Sequence, residues 1–192
     1  MPRGRSDLAL GGAVRVPVGD LANEPALENV GPGGVVPAAF VRHGIGRNAD
    51  LGLEVAGSSA RGMLRGMLGG GMARFVGGIA PHVGLAHEDG DLLRVGGTVP
   101  ITLSVDVLSL YELWIGARIA VDYLTGTVRG EAISMTGLRT GGVIGLGVGF
   151  RRLLVLVELG IDHELWSGTV SDISIERNGL VLTPAFAIRL RL

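Results

Sequence analysis

Leu93–Val107, LRVGGTVPITLSVDV, decides how the chain folds. One parity of this stretch carries Leu93, Val95, Gly97, Val99, Ile101, Leu103, Val105 and Val107. The other carries Arg94, Gly96, Thr98, Pro100, Thr102, Ser104 and Asp106. Successive side chains of a β-strand point to opposite faces, so this order makes one aliphatic face and one small or polar face. Wound into a helix, the same residues would scatter both sets around the cylinder. The stretch is a strand.

The alternation recurs on both sides. Leu113, Ile115, Ala117, Ile119, Val121 and Tyr123 alternate with Trp114, Gly116, Arg118, Ala120 and Asp122. Val155, Val157, Leu159, Ile161 and His163 alternate with Leu156, Glu158, Gly160, Asp162 and Glu164. Ile144, Leu146, Val148 and Phe150 oppose Val143, Gly145, Gly147 and Gly149, and Phe186, Ile188, Leu190 and Leu192 oppose Ala185, Ala187, Arg189 and Arg191. Leu8–Val18 behaves similarly, and Val35–His43, Asp50–Ala56, Arg61–Leu68 and Arg74–Leu85 show a fainter pattern. About ten strands result, with eight as the alternative.

Between them, Gly46-Arg47-Asn48-Ala49, Gly69-Gly70-Gly71, Ser109-Leu110-Tyr111 and Phe150-Arg151-Arg152 are read as tight turns. Gly19–Gly34, Thr125–Leu138 and Thr169–Gly179 are read as long connections, and His87–Asp91 as one of moderate length. Apart from the short Gly57–Ala60, long and short connections alternate, as in an antiparallel up-and-down barrel that crosses a membrane. An even strand number puts both chain ends on one side. One domain, residues 1–192, is expected.

Composition separates water from lipid. The chain is 47% hydrophobic with mean hydropathy +0.45, and only 18% of it is charged, against about 25% in ordinary soluble domains. No window holds the ~18 apolar residues that a membrane helix requires. There is no cysteine, hence no disulfide or thiolate metal site. A net charge of −1 argues against a general nucleic-acid partner. Every basic residue is arginine, which is read as a mark of a GC-rich genome. Met1 precedes Pro-Arg-Gly-Arg-Ser-Asp with no apolar signal core. An exported form is therefore expected to have lost its signal peptide, although a chain that never left the cytosol fits the same start.

The polar parities carry Gly, Ala, Ser and Thr with one or two charges per strand. They make a poor solvent-facing surface and a suitable lining for a narrow lumen, where small residues leave room for long ones. The expected lumen network sets Arg15, Arg42, Arg65, Arg94, Arg118, Arg189 and Arg191 against Glu54, Asp106, Asp122, Glu158, Asp162 and Glu164. Guanidinium forks suit carboxylates, and an unpaired buried charge is costly. A plugged or very narrow lumen follows.

The segments GGTVPITLSVDVLSLYELWIGARIAVDY (96–123) and PAFAIRLRL (184–192) resemble bacterial outer-membrane β-barrel proteins, most nearly small porin-like barrels of high-GC Gram-negative bacteria. The resemblance covers nearly the whole chain as a pattern. It implies an outer-membrane location, membrane lipid as partner and transmembrane strands. Two departures stand out: Leu192 occupies the last position, usually aromatic in the family, and aromatics make up only 4% of the chain. Tyr111, Trp114 and Phe150 near short turns, with Tyr123 and Trp166 near long connections, would form two sparse aromatic belts.

Candidate chemistry is thin. Gly145, Gly147 and Gly149 are followed by a strand instead of the helix a nucleotide loop needs, and are better read as small lining residues. The cluster His87–Asp91 lacks calcium-loop spacing. His82 shares its parity with Gly78, Ala80 and Gly84 and is expected to face the lumen as a structural histidine. Asp162 and His163 lie on opposite faces, and no motif of the outer-membrane proteases (omptins) is matched. No catalytic, cofactor or metal site is expected. The leading role is a structural, narrow-channel or loop-presenting barrel that passes small solutes or ions if it passes anything. A soluble barrel with Ile101, Leu103, Ile115, Ile119, Leu159 and Ile188 turned inward around an apolar ligand is the alternative, and an omptin-like hydrolase the weaker one.

Overall fold

The structure, a computed structural model, describes residues 4–23, 34–86, 91–108, 110–150 and 152–192. Among them run ten strands: β1 (Ser6–Gly19), β2 (Gly34–Gly44), β3 (Ala49–Ala56), β4 (Ser59–Gly70), β5 (Ala73–Ala86), β6 (Leu92–Val107), β7 (Tyr111–Val128), β8 (Glu131–Phe150), β9 (Leu153–Val170) and β10 (Ile173–Arg191). Each pairs antiparallel with its neighbours in sequence, and β1 pairs with β10, which closes the barrel. Closure joins the first strand to the last, so along the wall each strand has a paired neighbour on both sides, and beyond Gly179 the distal end of β10 pairs with β9 alone. The end at which β1 begins and β10 finishes is termed proximal, the opposite end distal.

The parity read from Leu93–Val107 sets the inside and the outside. Ile101, Ile115 and Ile119 are 58%, 58% and 56% exposed and point outward, while Asp122 and Asp162 on the other parity are each 1% exposed. Leu159 and Ile188 also face outward. This is the reverse of the soluble ligand-binding arrangement, which is thereby corrected. A one-residue slip in any strand would exchange the two faces, so the aliphatic rows also fix the register.

Two expected long loops are strands. β7 runs on to Val128 and β8 begins at Glu131. Arg129 (φ 52°) and Gly130 (φ 83°) make the two-residue turn between them, since paired positive φ values match the strand twist of a hairpin. Ser171 (φ 46°) and Asp172 (φ 69°) do the same between β9 and β10. Thr125–Leu138 and Thr169–Gly179 are thus the distal ends of tall hairpins, and connection length does not alternate as expected. The segment Gly19–Gly34 lies mostly outside the described residues, apart from a short 3-10 helix, Asp20–Asn23. Of His87–Asp91, only Asp91 is described; its carbonyl accepts a hydrogen bond from the Thr127 amide at 2.9 Å.

The aromatic belts also differ. Phe75, Tyr111 and Phe150 face outward near the proximal end and Tyr123 near the distal end, but Trp114 and Trp166 sit on the inward parity. Their indole N–H groups find carboxylates inside the barrel, a pairing that hydrocarbon outside would not offer.

Closure is directly testable because the chain has no cysteine. Leu10 on β1 faces Ile188 on β10 in register. Opposed antiparallel residues have Cα atoms about 4.5–5.5 Å apart, within disulfide range. The Leu10→Cys/Ile188→Cys variant is expected to oxidise to a cross-linked monomer with altered gel mobility, and either single variant is not.

Candidate functional site

The candidate site is the lumen. Its walls are strands whose inward parity alternates long ionic or aromatic residues with glycine, and the register brings the two kinds to the same height. Trp114 on β7 pairs with Gly145 on β8, which pairs with Glu158 on β9. Arg118, Gly141 and Asp162 form a second such row across the same three strands. His82, Gly96 and Asp122 form a third across β5, β6 and β7. In each row the outer two side chains meet over the glycine. A Cβ on Gly96 would lie 2.6 Å from Asp122 Oδ1 and 2.8 Å from His82 Nε2, and one on Gly145 would collide with the Trp114 ring. These glycines are saddles over which charge is paired.

From the distal end downward the lumen has three zones. The first is apolar: Leu21 from the 3-10 helix packs with Leu92, Leu124, Ile133, Met135, Trp166 and Val181, all nearly fully buried. The inward parity therefore turns aliphatic where an ionic lining was expected to continue.

Beneath it lies a zone of matched charge. Arg94 places Nε 2.9 Å from Asp122 Oδ1 and Nη2 2.9 Å from Oδ2, with its guanidinium 5.8 Å from the Trp166 ring centre. His82 Nε2 lies 2.5 Å from Asp122 Oδ1, and Arg139 Nη2 approaches Oδ2 at 3.5 Å. Arg15 donates to Glu164 at 2.6 Å, and the Trp166 indole donates to the same Oε2 at 2.9 Å. Arg118 grips Asp162 as a fork, at 2.8 and 2.5 Å. Trp114 donates to Glu158 at 2.8 Å.

The third zone, at the proximal end, encloses a cavity of about 800 Å³ that opens at that end. Arg65 forks onto Asp50 at 2.9 and 3.2 Å, and Arg42 is paired with Asp7. Arg189 and Arg191 share Glu112, and Arg191 and Arg74 reach Asp106 at 3.8 and 3.6 Å. Arg61 and Glu54 stand 3.6 Å apart, both about one-third exposed. The lumen is thus neither uniformly filled nor uniformly narrow.

The thirteen ionic residues named in the sequence sit on the inward parity, each in an ion pair or hydrogen bond. The structure adds Asp7, Asp50, Arg61, Arg74, Glu112 and Arg139 to them. Asp50 and Arg61 lie four positions from Glu54 and Arg65 on the same parity, and Asp7, Arg74 and Glu112 are each the second residue of their strands; Arg139 sits where a loop was expected to end. His82 faces inward, and His163 faces outward, away from Asp162. Gly145, Gly147 and Gly149 line the wall beside Trp114, Leu156 and the Leu153 backbone. Among the described residues no group of three His, Asp or Glu could hold a metal ion.

A closed up-and-down barrel with aliphatic outside and ionic inside has the fold of bacterial outer-membrane β-barrel proteins. Among solved structures it is similar to the outer membrane protein OprG from Pseudomonas aeruginosa, at TM-score 0.52 and 9% identity, covering 100% of this chain and 97% of that one. Weaker likenesses link it to the outer membrane protease OmpT from Escherichia coli (TM-score 0.46, 9% identity, 97% and 95% covered) and to Ail, the attachment invasion locus protein of Yersinia pestis (0.43, 11%, 99% and 99%). No protein-family model and no curated protein matches the chain.

Removing one partner of a buried charge cluster leaves the others uncompensated, at about 3–5 kcal/mol. Asp122→Asn strands Arg94, Arg139 and a short contact from His82, and should lower the unfolding free energy of the refolded barrel by that order in a urea titration. Glu54→Gln, at a half-open pair 3.6 Å long, should cost less than about 1 kcal/mol.

Proposed function

We infer that the protein is an integral outer-membrane barrel with a structural role, closed to solute passage along its axis. The carrying observation is the distal plug, in which Leu21 and Leu124 are 0% exposed and Met135 2%. Apolar side chains packed across a lumen give an ion no ligands to replace its water, and the matched charges beneath offer no free pathway.

The outward surface supports lipid as the surrounding medium. On β7 the aliphatic row spans residues 113–123, close to the ~9–11 residues with which a tilted strand crosses hydrocarbon. Distal to Leu138, Leu165 and Leu180 the outward positions of β8, β9 and β10 turn polar: Thr136 and Ser134, Ser167 and Thr169, Asn178 and Glu176. That change places the edge of the apolar belt partway up the tall hairpins, whose tips would stand in water. The two-residue turns at their tips offer little surface for loop presentation. The hydrolase reading gains no support, since Asp162 is held by Arg118 and His163 is on the other face.

Ile119→Arg, within the belt, should destabilise the barrel in phospholipid vesicles by about 2–4 kcal/mol. Ser167→Arg, beyond its edge, should cost at most about 1 kcal/mol. Equal effects would remove the belt. In planar bilayers the wild type should insert without steady conductance, whereas Leu124→Ala/Trp166→Ala, with its plug thinned, should conduct. Stable wild-type channels would rule out the closed reading.

A further inference from the structure

We propose that the proximal cavity is a binding site for a phosphate-type oxyanion, a group that nothing in the closed structural role requires. Its lining holds nine arginines, of which Arg61, Arg65 and Arg118 are paired with Glu54, Asp50 and Asp162; the other six face four lining carboxylates, Asp7, Asp106, Glu112 and Glu158. Those carboxylates are already engaged. Asp7 takes Arg42, Glu158 takes the Trp114 indole, and Glu112 takes both Arg189 and Arg191. Asp106 stands beside Arg74 and Arg191. Along this part of the wall three guanidinium groups share two carboxylates, so positive charge is in excess.

The unmet hydrogen-bonding capacity has the same sign. Nε of Arg42, Arg74 and Arg189 and the hydroxyls of Thr98 and Ser104 are buried without a partner among the described residues. Arg189, Thr98 and Ser104 are each only 7% exposed. A guanidinium can only donate, so for the three Nε groups the missing component is an acceptor, to which the two hydroxyls can also donate. A tetrahedral oxyanion supplies several acceptor oxygens, which planar guanidinium forks meet two at a time. The contact of Arg74 with Asp106, at 3.6 Å, is long enough for its side chain to turn toward an incoming ion, while Arg191 stays anchored on Glu112 at 3.0 Å with its charge beside the cavity. Low-dielectric walls around the cavity concentrate the field of these charges. With the distal end plugged, the ion enters and leaves by the proximal mouth, and the site binds without conducting.

Phosphate reaches such a cavity either free or as a small ester, and both are tested by calorimetry on the whole folded chain in detergent micelles. Inorganic phosphate and glycerol 3-phosphate are the probes, and the one that binds more tightly identifies the source. Saturable binding is expected, weakened about tenfold or more in Arg74→Gln/Arg191→Gln by the loss of charge-assisted contacts. Arg129→Gln, at a distal turn, should stay within about twofold. Absence of saturable binding by the folded wild type overturns the proposal, as does an equal loss in Arg129→Gln. A second measurement stands if the double variant does not fold. Thr102→Cys puts the sole thiol of the chain on the cavity wall, at a half-buried position outside the unpartnered donors. An anionic methanethiosulfonate should modify it about tenfold faster than a cationic one, and phosphate should slow that reaction. Equal rates, or a faster cationic reagent, would contradict an anion site.

Discussion

The structure depends on pairing charge at close range inside a closed wall. A barrel with aliphatic residues turned outward has nowhere but its lumen for ionic side chains, and there each must find a counter-charge. Flat adjacent strands would crowd long side chains against one another. Glycine on the middle strand of three removes that conflict: Arg118 meets Asp162 over Gly141, and Trp114 meets Glu158 over Gly145. The 34 glycines of the chain, which look at first like a recipe for looseness, are in these rows a condition of tight internal packing. Glycine in a strand costs backbone entropy and a side chain's packing, and here a buried ion pair or indole occupies the space left.

That constraint also divides the lumen. Where β7–β10 rise as tall hairpins, the inward residues become aliphatic and close over Leu21. In the middle, Asp122 gathers Arg94, Arg139 and His82. Toward the proximal end the strands carry more arginine than carboxylate: Arg42–Asp7, Arg65–Asp50 and Arg189–Glu112 stay tight, while Arg74 and Arg191 stand 3.6 and 3.8 Å from a shared Asp106. Dense pairing and apolar packing make the distal half a stopper, and surplus cation makes the proximal half a chamber. The two halves differ in chemistry although the same strands build both.

The strands were legible where the two parities contrast. Leu93–Val107 sets eight residues that are aliphatic or glycine against seven that are small or polar, and no helix tolerates that order. Legibility failed at 125–138 and 169–179, where the outward positions are Thr, Ser, Asn and Glu and the inward ones include Ile133, Met135 and Trp166. Above the apolar belt the outer face meets water, so the contrast weakens and in places reverses, and a strand there has the composition of a loop. Aromatic belts misled for a related reason: Trp114 and Trp166 lie near strand ends in sequence, but parity, not position, turns them inward. The ionic residues could be assigned to a face from parity alone. Their partners could not, since Arg118–Asp162 and Arg189–Glu112 join strands two or three places apart around the closed wall. Only the register of the intervening strands brings them level.

The absence of lysine takes on a structural meaning once the lumen is seen. Whatever genomic bias favoured arginine, three of the internal pairs use both the Nε and Nη2 donors of one guanidinium on both oxygens of one carboxylate, Arg118 on Asp162, Arg65 on Asp50 and Arg94 on Asp122. An ammonium group is a point charge on a flexible stem and cannot reproduce that planar fork. Arg94 does more, since it grips Asp122 while lying 5.8 Å from the Trp166 ring centre. It thereby joins the ionic zone to the underside of the apolar plug. A lysine there could keep the charge, but it would lose the fork that fixes how far the side chain reaches. The plug and the charge cluster are therefore held as one unit by the shape of a guanidinium.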